Sequence, residues 1–202
     1  MIARGPHLPL GCDNIIVERL ADDLSARLRI PRVPTIPFGV HSSRDPEAPG
    51  STALTRKTLH RMMNELIEGW ESEAKVRQVF ILTTHAADAH LEALSTIRSV
   101  GQVTLIDIYA APLPDALRNV LPDTALLMWL APELIDHSQL PRTVGDLADT
   151  GRQLYQVLLD FAATQIRPVP PIPNAGPRLP DAGMPIPTSG QRDLPSRPDR
   201  TV

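Results

Sequence analysis

The chain has 202 residues, 42% of them apolar and only 3% aromatic, with 20 Lys and Arg against 23 Asp and Glu for a formal net charge of −3. That length suffices for one domain whose core is built from Leu, Ile, Val and Ala rather than from rings, and the mild acidity excludes a basic face for nucleic acid or an anionic membrane. No segment approaches the roughly 20 apolar residues of a membrane helix, and the lone cysteine, Cys12, excludes an internal disulfide and fits a reducing compartment, so a cytoplasmic protein is expected.

Residues 3–14, ARGPHLPLGCDN, read as a functional loop at the front of the chain. In the following DNIIVERLADDLSARL, Ile16, Leu20, Leu24 and Leu28 recur at i, i+4 and form one apolar helical stripe. RVPTIPFGV (32–40) is a short strand or extended stretch broken by prolines. Thr55 is a candidate N-cap for a helix whose Leu59, Met62, Met63, Leu66, Ile67 and Trp70 share a face, while its Glu65, Glu68, Glu71 and Glu73 read as a solvated helix end. Val76–Leu82 reads as a buried strand, DAHLEALSTIRSVG as a helix ending at Gly101, and QVTLIDIY as a second buried strand. DTALLMWLAPELI is a largely apolar helix cut by Pro132, and the segment from Val144 to Ile166 is a last amphipathic helix.

Buried strands alternating with helices predict a single α/β domain over residues 1–167, with a mainly parallel sheet flanked by helices. Ten of the 22 prolines fall in residues 168–202, which read as a disordered, Pro-rich tail, either a spacer or a docking site for a proline-binding partner.

Ligands of parallel sheets sit at the carboxyl ends of strands, where the loop TTHAADAH emerges. His85 and Asp88, or His90, could converge on one metal with His7 and Asp13 from the opening loop. Plainer roles compete: Asp13 and Asp88 as helix caps, His90 as a solvent-facing residue, and Cys12 as a small buried thiol. Gly-rich phosphate loops, CxxC pairs and GxSxG elbows are absent.

GPHLPLGCD resembles the opening motif of the creatininase (creatinine amidohydrolase) family, approximately E-x-H-G-P-H-L-P-L-G-T-D. The similarity continues through IPFGVHSSRDPEAPGSTALT, VFILTTHAADAH, DTALLMWLAPELI and the closing helix, spanning roughly residues 3–166 in order. The resemblance implies a four-stranded, mostly parallel sheet, a homo-oligomer that is often hexameric, and a two-metal site of zinc, manganese or iron that hydrolyses small amides. Such a site needs a bridging carboxylate and a hydroxide held between two cations.

Carried over by position, the bridging Asp falls on Asp13 and a ligand His on His85. The Glu and His that open the motif fall on Ile2 and Arg4, a further carboxylate on Ala87, and a later Glu on Asp123. A family His that assists proton transfer falls near Arg118 and Asn119. Two of five ligands remain, and Arg4 brings a positive charge next to a cation position, where pairing with Asp13 could stand in for metal. Two readings follow: a degenerate family member that serves as a binding or partner subunit, in a homo-oligomer or beside an active paralogue and without metal, or an active metal-dependent amidohydrolase with a rearranged site holding one divalent ion. In the family a strand and helix precede this motif, so the first strand of the sheet is expected to be missing from this chain, leaving an edge for a partner to cover, unless the true start lies upstream.

Overall fold

A computed structural model describes residues 3–41, 51–141 and 146–167; Ile2 and the tail from residue 168 lie outside the described residues. In chain order the elements are α1 (Cys12–Leu28), α2 (Arg56–Ser72), β1 (Gln78–Thr83), α3 (Asp88–Ser95), β2 (Gln102–Asp107), α4 (Pro122–Leu130) and α5 (Ala148–Gln165). The strands pair in parallel, from Gln78 opposite Gln102 to Thr83 opposite Asp107. The α/β class is as expected, but among the described residues this sheet has two strands, fewer than the four the resemblance implies. No described helix is long and apolar enough to cross a membrane.

The period of two along β1 splits the core into layers. Phe80 and Leu82 pack with Ile16, Leu20 and Leu24 of α1 and with the buried faces of α4 and α5. Val79 and Ile81 turn the other way, onto Leu59, Met63 and Ile67 of α2 and Ala93 and Leu94 of α3. Helices thus cover both faces, as a parallel sheet requires.

Local chemistry explains the element ends. Thr55 caps α2 as expected, its hydroxyl accepting from Thr58 N–H at 3.1 Å. The Arg32–Val40 stretch is extended without forming a strand, because Pro34 and Pro37 remove the donors a ladder needs. The helix expected to run to Gly101 stops at Ser95. There Ser95 and Thr96 turn their hydroxyls back onto the Glu92 carbonyl, at 3.1 and 2.9 Å, and compete with the helix ladder. The amides beyond find partners on α2: Arg98 N–H donates to Asn64 Oδ1 at 2.7 Å, and Val100 and Gly101 N–H donate to Glu71. Glu71, read as part of a solvated end, is therefore a loop clamp, and a bond from the Ser99 hydroxyl, followed by those from the Gly101 and Val100 amides, holds its carboxyl below the usual carboxylate range. α4 starts with Pro122 at its first position and stops before Pro132, where a short 3₁₀ turn follows.

Candidate functional site

The opening loop enters α1 through Gly11 at φ 82°, a left-handed conformation that glycine adopts without strain. This turn places Asp13 in the first turn of α1, 8% exposed, where its Oδ1 accepts from Asn14 N–H at 3.2 Å. The cap position belongs to Gly11, and no side chain caps the helix. Thr84, just past β1, donates its hydroxyl to the Asp13 carbonyl at 3.3 Å and so ties the start of α1 to the end of the strand.

His85 is buried against the extended stretch. Its Nε2–H donates to the Val40 carbonyl at 2.7 Å, which leaves Nδ1 as the nitrogen with a lone pair. Burial pushes its protonation below the usual histidine range; the nearby Arg4 guanidinium adds to this and the Asp13 carboxylate opposes it. His90 is buried too, 7% exposed, rather than facing solvent. Val40 N–H donates to its Nδ1 at 3.2 Å, so Nε2 carries the hydrogen and donates to Thr83 Oγ1 at 3.1 Å. Both ring nitrogens are used, and the ring packs edge-on to His85 with centroids 4.9 Å apart. Gly39 lies against it: a Cβ there would come within 2.9 Å of Nδ1.

Asp88 is exposed at the first position of α3, and Ala87 is the extended residue before it. His7 turns toward α4, its Nε2 at 2.9 Å from Thr124 Oγ1, with Nδ1 buried and unpartnered. The structure thus places Asp13, His85 and Arg4 near one another at the carboxyl end of β1, while His7 faces Thr124 and Asp88 faces solvent.

Arg4 is where the structure departs most from expectation. Its ion pair is not with Asp13: Nε lies 3.7 Å from Asp123 Oδ2, and Nη2 donates to the Thr84 carbonyl at 3.2 Å. Tyr109, beyond β2, donates its hydroxyl to the other Asp123 oxygen. Arg4→Met is expected to lower stability by about 1–2 kcal/mol, because the half-buried Asp123 loses its cation. In the Arg4→Met, Asp123→Asn double variant, where Tyr109 keeps its acceptor, urea denaturation should show part of that loss recovered; strictly additive losses would refute the pairing.

Three participants escaped the sequence reading. Thr84 and Tyr109 bond groups far away in the chain, so no local pattern marks them. His41, whose ring lies 6.0 Å from that of His85, directly follows the Arg32–Val40 stretch and was the more visible of the three.

The donor set does not fit a two-metal centre. Of the family's ligand positions, Asp13 and one nitrogen of His85 keep a free donor, the Asp123 carboxylate is taken up by Arg4 and Tyr109, and Arg4 is a permanent cation, whereas structural or catalytic sites need three or four protein ligands. Among the described residues, no group of three or more His, Cys, Asp or Glu side chains comes together in a way that could hold a metal. Nor is Cys12 a nucleophile: burial first, then the charges of Asp123 and Asp13, push its thiol up to about 12.

The described residues form a layered α/β domain that gathers histidine, carboxylate and arginine at the carboxyl end of a parallel strand. A family model described as creatinine amidohydrolase matches residues 3–116, more than half of the chain, and the protein belongs to the creatininase family. No curated protein and no solved structure gives a significant match.

Proposed function

We propose that this creatininase-family domain has exchanged a metal-dependent hydrolytic centre for a metal-free, ion-paired one, and that it acts as a binding or partner subunit. The observation that carries this reading is the Arg4–Asp123 pair. Both residues occupy positions where the family pattern has metal ligands, one His and one Glu, and here the guanidinium supplies the positive charge the carboxylate needs. Asp13 and His85 each also serve the backbone here: the Asp13 carboxylate accepts from Asn14 N–H at the start of α1, and His85 donates to the Val40 carbonyl. A fixed cation beside Asp13 and His85 opposes the approach of a divalent ion by Coulomb repulsion.

Metal analysis of the full-length protein, purified after growth with added zinc and manganese, tests this. The expected content is below about 0.1 equivalent of Zn, Mn or Fe per chain, with no hydrolysis of creatinine or simple cyclic amides. About one equivalent, lost together with amidase activity in Asp13→Ala or His85→Ala, would establish the active hydrolase instead.

A further inference from the structure

The backbone is held firmly where α5 ends. Ile166 is buried in the main core, and its N–H donates to the Ala162 carbonyl at 3.2 Å. Arg167 follows, an exposed residue whose carbonyl accepts from Gln78 Nε2–H at 3.3 Å. Gln78 is the first residue of β1, so Arg167 stands at the opposite end of that strand from His85.

Beyond it lie residues 168–202, outside the described residues, and their sequence has a period. Arg167-Pro168-Val169-Pro170-Pro171-Ile172-Pro173 places an apolar residue and then a proline twice, three residues apart, with arginine three residues before the first of the two prolines. A second stretch, Arg192-Asp193-Leu194-Pro195-Ser196-Arg197-Pro198, keeps arginine and both prolines at the same spacing but has Arg197 where the first has Ile172. A spacer requires no such interval.

Polyproline II has three residues per turn. In that conformation Arg167, Pro170 and Pro173 fall on one edge, Val169 and Ile172 on the next, and Pro168 and Pro171 on the third, where they serve only to hold φ at about −65°. Four of these seven residues are proline, which lowers the entropy a partner must remove to order the segment.

We infer that residues 167–173 are a docking segment for an SH3-type domain of another protein. Two grooves walled by aromatic rings take Val169-Pro170 and Ile172-Pro173, and a carboxylate pocket beside them takes the Arg167 guanidinium through two parallel hydrogen bonds. Residues 168–202 contain no Tyr, Phe or Trp, which excludes the proline-binding domains that also need an aromatic residue on the ligand. Docking at Arg167 lies away from the Arg4–Asp123 pair, so it stands or falls independently of whether that site holds metal.

The probe is a nitrogen-15-labelled SH3 domain that accepts arginine-first ligands, titrated with the unlabelled full-length protein and followed by NMR. The expected dissociation constant is about 10–100 μM, with shifts concentrated in the aromatic grooves and the acidic pocket of the probe. Arg167→Glu should weaken binding at least about ten-fold, and Arg167→Lys, which keeps the charge but not the paired hydrogen bonds, by about three-fold. Pro170→Ala with Pro173→Ala, both outside the α/β body, should also cost at least about ten-fold, whereas Pro195→Ala with Pro198→Ala should change affinity by less than about two-fold. No binding up to about 1 mM, or binding unaffected by Arg167→Glu and by the 170/173 pair, overturns the inference. So does a greater loss from the 195/198 pair than from the 170/173 pair, since the segment that docks would then begin at Arg192.

Discussion

Gly151→Ala is expected to destabilise the protein by more than about 4 kcal/mol, enough to abolish soluble expression of many single domains. Gly151 lies in the first turns of α5, where the helix crosses α4. A Cβ built there would sit 1.8 Å from the Ala125 carbonyl oxygen and 2.5 Å from its carbonyl carbon. Both atoms belong to backbone in the middle of α4, so no rotamer change relieves the clash and the helices must separate. Separation would open the packing of Leu126, Leu127, Leu154 and Leu158, each of them fully buried. Gly69→Ala is the control. Gly69 also lies inside a helix, but nothing stands within 4 Å of its Cβ position. That substitution should raise stability by about 0.5–1 kcal/mol, since alanine has less backbone freedom to lose on folding. Urea denaturation of the two variants reads opposite signs from one chemical change; equal effects would disprove the close approach of α4 and α5.

The same pair of glycines shows how far the sequence could be read. Both stand in amphipathic helical patterns, and nothing in either pattern says which one touches a neighbouring backbone. Elements with strong local signals were legible: the strand read at Val76–Leu82, found at Gln78–Thr83, the stripe of Ile16, Leu20 and Leu24, the Thr55 cap, and the stop at Pro132. Features decided by distant partners were not. α3 ends early because Asn64 and Glu71, on α2, receive the amides that would have continued it. The family resemblance identified Arg4 as a cation in a ligand position, yet its partner is Asp123 rather than Asp13, a pairing set by where the start of α4 meets the opening loop. His90 showed the same limit, since its burial depends on Val40 and Gly39, fifty residues earlier.

His90 also makes stability fall in mild acid. Burial, helped by the neighbouring charge of His85, pushes its protonation down to about 4 from an ordinary 6.5. The neutral ring fits its site because Nδ1 accepts from Val40 N–H; a proton there would turn an acceptor into a donor facing a donor. In the unfolded chain the ring takes up its proton near pH 6.5, while in the folded chain it stays neutral until about pH 4. The unfolded state therefore binds more protons between these values, and stability drops as pH falls through that window. Above about pH 7 the contribution is fully present, and below about 4 it levels off at its lost value. The gap corresponds to on the order of 3 kcal/mol. His85 is shifted in the same direction, again mainly by burial, and deepens the effect. Urea midpoints at pH 7.5, 6.5, 5.5 and 4.5 for the wild type and His90→Gln isolate the term, because carboxylates and exposed histidines contribute alike to both. His90→Gln should be less stable at pH 7.5, having lost a fitted ring, but should show a shallower fall toward pH 4.5. Parallel pH profiles for the two proteins would mean that the ring is protonated in the folded state and that the Val40 bond does not hold it neutral.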